Sequence, residues 1–325
     1  DAEKNRLLSD LWLQPVAGGP GRRLTAHEAG ESSPAISPDG SRVVFVAKRD
    51  GDEVAQIYVL RLDGGEAERI TELPSAPGSP RFTADGKRIV FSANVLGESL
   101  ETTRAELARR KKEERTRVLA TVSERRLVRY WDRWLEQDEW PHLLSVDVET
   151  RAVADLTPGM KRFGRLEGGL DFDVAPDGSV VFAANSTEPP YRALNGDLFL
   201  VPAGGGAPRN LTADNPAADS SPVFSPDGRT IAYGREAKGD GWPDRTRLAL
   251  LDVASGKTKV LTESWDRVPQ GWSFTPDGRT LVFLAEDRAR THVWSLPVSG
   301  GTPKVVWKGG RANALEVAGP AGLVF

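Results

Sequence analysis

The sequence contains no cysteine among its 325 residues, and it has only one methionine, three histidines and four tyrosines. Without cysteine the chain can form no disulfide, thiolate metal site or cysteine nucleophile. No apolar run reaches the length of a membrane-spanning helix. The net charge of −3 predicts no overall attraction to nucleic acid or to acidic membranes. These absences favour a globular chain with no membrane span and no nucleic-acid partner.

The start of the sequence does not indicate the cellular compartment of the protein. It opens at Asp1 rather than at methionine, which we interpret as a processed or trimmed end. No signal peptide is visible, but a removed export signal stays open. A periplasmic or secreted location and a cytoplasmic one are both compatible with the sequence.

Glycine and proline, by contrast, are abundant, with 33 and 23 residues. They mark many turns and favour an all-β chain. One motif recurs, in which a small or polar residue leads into Pro-Asp-Gly or Ala-Asp-Gly and then an apolar strand. Its glycines return about every 45–50 residues, with one interval about twice as long, and this spacing is typical of four-stranded propeller blades. They are Gly40, Gly86, Gly178, Gly228 and Gly278.

The residue types of this motif suit a tight hairpin. Proline pre-sets φ at the turn, glycine adopts a positive φ freely, and aspartate tolerates one. A second motif follows each hairpin: an alternating strand, a Gly-Gly or Ser-Gly turn, and a short strand that ends in Leu-Thr or Ile-Thr. Its threonines are Thr25, Thr71, Thr212 and Thr262, whereas the last copy has Val306-Trp307 in their place.

Each repeat is therefore two hairpins, and such units must pack side by side to bury their apolar faces. We predict a single β-propeller domain over residues 1–325, which begins in the second half of one unit and ends in the first half of another. Two arrangements are open. The half-units pair to close a six-bladed ring, or the chain is part of a seven-bladed ring, and we favour the second.

The doubled interval holds an insertion, from about residue 97 to 141. From Ser99 to about Arg129 it contains no glycine or proline, which predicts a helix with Ser99 as its N-cap. An aromatic segment, Arg129–Trp134, follows. Its rings either pack the insertion onto its blade or form one wall of a binding cavity.

These residues resemble a known family. The run Val128–Trp134, followed by His142–Asp147, is similar to the Arg-His-Trp-Asp-x-Trp and His-Leu-Phe pattern of dipeptidyl-peptidase V-type and acylaminoacyl-peptidase-like enzymes. Tyr130 stands where histidine is frequent, and Leu144 where phenylalanine is frequent. Nearly the whole chain resembles the N-terminal propeller of the prolyl oligopeptidase family of serine peptidases.

The resemblance implies a function. In that family the propeller precedes an α/β-hydrolase domain with the Ser, Asp and His, restricts entry to short peptides, and contributes side chains that hold the substrate's amino end. An acidic residue in the insertion could pair with that amine. The candidate substrate-binding residues are Arg129, Trp131, Asp132, Trp134, Glu136 and Glu139.

The catalytic groups themselves are not predicted in this chain. A hydrolase of this kind needs Gly-x-Ser-x-Gly on a strand-turn-helix, and the nearest string, Gly271-Trp272-Ser273, lacks the final glycine and lies in a repeat strand. His142 and His292 fall at equivalent places in the repeat, which predicts structural roles. Asp50-Gly51-Asp52 lacks the closing glutamate of a calcium loop and is interpreted as a polar turn. No cofactor and no metal site are predicted.

The residues leave a second class of function open. Similar repeats occur in TolB-like propellers, so the chain could be a non-catalytic propeller for protein–protein interaction. A propeller enzyme acting on sugars or lactones would need inward acids and histidines around a metal, and the three histidines offer little support for it.

Overall fold

The computed structural model describes residues 9–113, 139–164, 169–187, 195–239 and 244–317, together with the backbone of 129–130, 133–134 and 323–324. Within these residues the chain forms five four-stranded sheets, three two-stranded sheets and one helix. Each four-stranded sheet is one blade of a β-propeller fold. The predicted all-β propeller with four-stranded blades and a helical insertion is confirmed. No helix of the described part is long and apolar enough to cross a membrane.

The described residues fall into two compact units. Unit 1 extends to Leu170 and includes Val201–Ala207. It holds a two-stranded sheet, blades 1 and 2, and the insertion. The two-stranded sheet is β1 (Trp12–Leu13) and β2 (Arg22–Arg23); blade 1 is β3 (Glu31–Ile36), β4 (Arg42–Ala47), β5 (Gln56–Arg61) and β6 (Glu68–Arg69). Blade 2 is β7 (Pro77–Phe82), β8 (Arg88–Leu96), β11 (Glu139–Asp147) and β12 (Val153–Asp155); between its middle strands lie α1 (Leu100–Glu113), β9 (Arg129–Tyr130) and β10 (Arg133–Trp134).

Unit 2 contains blades 3 to 5 and a final two-stranded sheet. Blade 3 is β13 (Asp171–Val174), β14 (Val180–Asn185), β15 (Gly196–Val201) and β16 (Arg209–Asn210). Blade 4 is β17 (Asp219–Phe224), β18 (Thr230–Arg235), β19 (Arg247–Asp252) and β20 (Thr258–Val260). Blade 5 is β21 (Gln270–Phe274), β22 (Thr280–Asp287), β23 (Arg290–Pro297) and β24 (Lys304–Trp307); the last sheet is β25 (Glu316–Val317) and β26 (Leu323–Val324).

The number of blades is the part of the architecture that is not confirmed. The described strands give five complete sheets, not six or seven. The pair β1–β2 has the register of third and fourth strands, because Leu11 and Thr25 are bonded in it as Ile57 and Thr71 are in blade 1. The single domain over 1–325 also stays a prediction.

The recurring Asp-Gly turns share one geometry. In the five turns the glycine φ lies between +66° and +84°, a range that costs other residues strain. The aspartates adopt no positive φ, although the sequence allowed them one. Instead their carboxylates accept hydrogen bonds. In blade 4, Asp227 Oδ1 accepts from Ser225 Oγ at 2.6 Å and from the Arg229 amide at 3.1 Å.

The small residue within the first strand, ahead of the Asp-Gly turn, also has a structural role in four blades. The first strands of four blades bulge next to it, and the left-handed residues at these bulges are Ser33, Ser79, Ser221 and Gly271. A β-bulge places one extra residue in one strand and bends it. The Ser-Pro or Gly-Trp pair of the repeat is therefore the sequence of a bulge.

The threonine that ends the second motif closes four of the five blades. Its hydroxyl oxygen accepts a hydrogen bond from a buried amide of the third strand, as Thr71 does from Ile57 at 3.0 Å. The next residue toward the chain start, such as Ile70, donates its own amide to the same strand residue's carbonyl. The same bond is made by Thr25, Thr157, Thr212 and Thr262.

Apolar side chains of neighbouring blades form the core within each unit. In unit 1, Phe91 of blade 2 is fully buried with Val44 and Ile57 of blade 1. The Arg42 guanidinium lies over the Phe82 ring at 5.4 Å and donates to the Gly86 carbonyl, which joins the same two blades. In unit 2, Tyr233 and Phe283 are fully buried in blades 4 and 5.

The third strand of each blade has a buried polar residue immediately before this amide, or before Val293 in blade 5, and the residue differs from blade to blade. In chain order these residues are Gln56, His142, Asp197, Arg247 and His292. Each of the first four bonds to its own partner near the end of the blade: Gln56 to Thr71, His142 to Asp155, Asp197 to Asn210 and Arg247 to Glu263. The blades thus share a backbone plan but not these contacts.

Asp219, the first residue of β17, is a buried acid with a raised pKa. Its side chain is 1 % exposed. Burial raises the pKa of Asp219 to about 7, although hydrogen bonds from Thr212 and Asn215 act in the opposite direction. Its second carboxylate oxygen has no hydrogen-bond partner in the described structure.

Replacing a closing threonine by valine should destabilise the chain. In Thr71→Val the buried Ile57 amide loses its acceptor and Gln56 loses a donor, which should lower the free energy of unfolding by about 1–3 kcal/mol. Urea unfolding of the variant measures this loss. Thr302→Val, at an exposed position, is the control and should change it little. An equal effect of both substitutions would contradict the role of the hydroxyl.

The turn aspartates should make the fold less stable in acid. Hydrogen bonds, first from the Ser225 hydroxyl and then from the Arg229 amide, lower the pKa of Asp227 below its ordinary value of 3.8. A lowered folded-state pKa gives stability that is present above the unfolded pKa and is lost as pH falls through the folded one. Asp227→Ala should therefore be less stable than the parent at pH 7, and the difference should shrink below about pH 4. Urea unfolding from pH 7 to 3 tests this, with exposed Asp214→Ala as the control.

Candidate functional site

The insertion projects from one long hairpin in blade 2. Strands β8 and β11 pair without a break from Arg88↔Asp147 to Leu96↔Glu139, whereas their neighbours β7 and β12 are shorter. Most of the hairpin is buried. Long strands buried on both sides give the insertion a rigid base, so side chains at the Leu96–Glu139 end have fixed positions.

The helix of the insertion begins as predicted. The Thr102 amide donates to Ser99 Oγ at 3.1 Å, and the Ser99 amide donates to Thr102 Oγ1 at 2.9 Å. This reciprocal pair is a capping box with threonine in the place of the usual glutamate. The α1 helix ends at Glu113, and residues 114–128 of the predicted helix lie outside the described residues.

Glu139 is the candidate residue that the structure describes most fully. It opens β11 and is half-buried. Its Oε1 accepts a hydrogen bond from Asn94 Nδ2 at 2.6 Å, and Asn94 is itself held in place because Ser75 Oγ donates to its carbonyl at 2.5 Å. In the described structure Oε2 makes no hydrogen bond. One carboxylate oxygen is therefore fixed by Asn94.

Two buried residues that follow Glu139 in β11 anchor this strand to its surroundings. Trp140 is buried, and its ring meets the Phe163 ring at 4.8 Å between centroids. His142 is 1 % exposed, with Nδ1 at 2.7 Å from Asp155 Oδ2 and Nε2 at 2.9 Å from the Met160 carbonyl. Together these contacts tie the segment after β12 to the strand that carries Glu139.

The other predicted site residues are only partly described. Arg129 lies in β9 and Trp134 in β10, and the two are directly opposite in a short antiparallel pair. Trp131, Asp132 and Glu136 lie outside the described residues. The predicted substrate-binding set therefore stays a prediction. The insertion ends slightly earlier than predicted, because Glu139–Pro141 belong to β11.

Sequence reasoning missed Asn94, Asp155 and Phe163. Nothing in the run Ser92-Ala93-Asn94 marks it as a partner of Glu139, since only the strand register brings them together. The Leu156-Thr157 closer of blade 2 was missed as well. Its blade has Arg151, at φ +63°, where other blades have a glycine turn.

The described histidines and serines fit structural roles. His142 and His292 occupy equivalent positions opposite Ala93 and Ala285, and both are buried. Ser273 lies in β21, within a strand, as predicted from the string around it. Among the described side chains, no group of three or more His, Cys, Asp or Glu residues could hold a metal ion.

The loop at Asp50-Gly51-Asp52 is a polar turn, as predicted. Asp52 accepts hydrogen bonds from the Tyr58 hydroxyl at 2.6 Å and from Arg69 at 2.9 Å, so its oxygens are already engaged. Burial and the bond to Asp52 raise the pKa of Tyr58 to about 12. The Arg49 guanidinium lies over the Tyr58 ring at 4.8 Å and completes the contact.

A separate cavity of about 500 Å³ lies in unit 2 beside the turns of blades 4 and 5. Its wall includes Phe274, Leu250 and the carboxylates Asp227 and Asp277. Both carboxylates already accept hydrogen bonds within their own turns. Each accepts these bonds through Oδ1, so the turns hold both carboxylates in place.

Comparison with known proteins gives related sequences and folds. A sequence model of the tricorn protease N-terminal β-propeller domain matches residues 7–123. Dipeptidyl-peptidase 5 of Aspergillus fumigatus is 30 % identical over 219 residues, which are 58 % of this chain and 30 % of that protein. Dipeptidyl-peptidase 5 of Trichophyton schoenleinii is 34 % identical over 168 residues, 47 % of this chain and 23 % of the relative. The match spans less than a third of the length of these curated relatives.

Solved structures show the same fold at low sequence identity. The acylaminoacyl peptidase of Pyrococcus horikoshii matches with a TM-score of 0.68 and 15 % identity, over 95 % of this chain and 42 % of that one. TolB from Acinetobacter baumannii matches with a TM-score of 0.52 and 19 % identity, over 93 % of this chain and 64 % of that one. The comparisons confirm the resemblance predicted from the sequence: the chain carries a β-propeller similar to peptidase propellers, those of tricorn protease and of dipeptidyl-peptidase 5 among them.

Proposed function

We propose that this chain is the substrate-gating propeller domain of a serine exopeptidase that acts on short peptides, of the dipeptidyl- or acylaminoacyl-peptidase type. The relatives named dipeptidyl-peptidase 5 support this class. The Ser, Asp and His of the reaction would come from an α/β-hydrolase domain of the same protein. The propeller would admit short peptides and exclude folded chains.

One observation within the chain carries the proposal further. Glu139 has one carboxylate oxygen bonded to Asn94 at 2.6 Å and the other without a hydrogen-bond partner in the described structure. A half-buried carboxylate held in this way is suited to bind a peptide's α-ammonium group, because a charge-assisted hydrogen bond gains strength away from bulk water. We assign Glu139 the role of anchoring the free amino end.

The side chains of the insertion would complete the site. Trp131 and Trp134 would supply apolar area for the first side chains of the peptide, because aromatic rings give large contact areas at a small entropic cost. Arg129 would bind backbone carbonyls, while Asp132 and Glu136 would add negative charge near the ammonium group.

A non-catalytic propeller of the TolB type is the alternative. The likeness to TolB is one of fold alone, and fold does not determine function. The two proposals differ in what the isolated chain binds. A gating propeller should prefer short peptides with a free amino end, and an interaction propeller should bind a folded protein partner with no such preference.

Removing the Glu139 charge should abolish the preference for free amino ends. The parent chain should bind a tripeptide with a free amino end at least about tenfold more tightly than its N-acetylated form, because a hydrogen bond between charged groups contributes about 1.5–3 kcal/mol. Glu139→Gln should bind both peptides alike. Isothermal titration calorimetry measures the two affinities.

The matched control is Glu149→Gln, an exposed glutamate in the turn after β11, which should keep the preference. Equal binding of both peptides by the parent chain, or an unchanged preference in Glu139→Gln, would contradict the role of Glu139.

The gene that encodes this chain should also encode the catalytic residues. We expect a Gly-x-Ser-x-Gly motif after this segment, followed within a domain's length by the Asp and His of the triad. Sequencing the gene beyond residue 325 tests this. A coding region without these residues would remove the peptidase assignment and favour the interaction propeller.

A further inference from the structure

A chain of buried polar side chains runs through unit 2 between blades 3 and 4. Asn195 Nδ2 donates to Asp197 Oδ1 at 3.2 Å and to the Asn215 carbonyl at 3.4 Å. Asn215 Nδ2 donates in turn to Asp219 Oδ1 at 2.9 Å. Asp197, Asn215 and Asp219 are at most 2 % exposed. Asn195, Asn215 and Asp219 are thus linked to one another by hydrogen bonds, and the carboxylate of Asp197 lies beside them.

Three oxygen atoms of this polar chain have no hydrogen-bond partner among the residues that the structure describes. They are Asp219 Oδ2, Asn215 Oδ1 and Asn195 Oδ1, and each is inaccessible to solvent. An unsatisfied buried acceptor costs about 1–3 kcal/mol, so three in one cluster are unusual in a native fold. The presence of three such acceptors indicates that a cation or a hydrogen-bond donor binds here.

The orientations of the two amides are fixed by their surroundings. Asn215 Nδ2 faces three acceptors, namely the carbonyls of Ala217 and Glu236 and the carboxylate of Asp219. Asn195 Nδ2 likewise faces Ser186 Oγ, Asp197 Oδ1 and the Asn215 carbonyl. Rotating either amide by 180° would set its oxygen against other oxygens. The unpartnered atoms are therefore acceptors.

A cation suits these acceptors better than a water molecule. One water has two hydrogens to donate, whereas three lone-pair sites are open here. The carboxylate of Asp219 adds negative charge to the two amide oxygens, although the Arg235 guanidinium acts on it as well. Carboxylate and amide oxygens are the ligands that hard cations such as Ca²⁺ prefer.

We propose that Asn195, Asn215 and Asp219 form a binding site for a hard, oxygen-preferring cation of the Ca²⁺ or Na⁺ type. The site would tie the loop after the Thr212 closer to the first strand of blade 4. It is independent of the peptide site at Glu139, which belongs to unit 1.

The test measures thermal unfolding of the whole chain after removal of metals with a chelator. The chain is placed in tetramethylammonium chloride, and CaCl₂ or NaCl is added at constant ionic strength. A bound cation should raise Tm by about 2–4 °C for each kcal/mol of linkage. Asp219→Asn should lose the rise, whereas Asp227→Asn, the same substitution at an exposed turn, should keep it.

Each outcome decides the proposal. A rise with CaCl₂ alone identifies a divalent site, and a rise with NaCl as well identifies a site that a monovalent cation fills. No rise with either salt, or an equal rise in Asp219→Asn, overturns it. If Asp219→Asn does not fold, calorimetric titration of the parent chain with CaCl₂ and with NaCl decides, because a site requires saturable binding of about one cation per chain.

Discussion

The bond between a closing threonine and a buried amide of the third strand underlies the structure of the blades. The fourth strands are short, so the ladder ends before this amide is paired. A buried amide without an acceptor would cost about 1–3 kcal/mol, and the threonine hydroxyl supplies one at about the same place in each blade that has it. Blade 5 has Trp307 instead, paired by its backbone with Val293.

Most of the fold could be predicted because the repeat is local. The Asp-Gly turns and the Leu-Thr closers each lie within a few residues of the contacts they make, and their spacing gives the blades. Blade 2 shows the limit of this reasoning. Arg151 takes the left-handed turn position that glycine holds elsewhere, and the Leu156-Thr157 closer behind it therefore does not stand out in the sequence.

The candidate site was predictable only in part, because it depends on contacts distant in sequence. Asn94 and Glu139 are separated by the whole insertion and meet through the register of β8 and β11. The aromatic residues of the insertion could be recognised by composition, whereas their fixed partners could not. Similarly, the unpartnered oxygens near Asp219 follow from the packing of four side chains and have no motif of their own.

The buried polar residue within each third strand has a consequence for the assembly of repeats. Blades with nearly identical backbone hairpins could exchange strands during folding, a known failure of repeat proteins. Here each residue is hydrogen-bonded to a partner in its own repeat: His142 to Asp155, Asp197 to Asn210, and Arg247 to Glu263. A third strand placed in a foreign blade would set a buried charge or ring nitrogen against the wrong group. Chemical differences at one repeated position therefore give each blade an identity that its backbone does not.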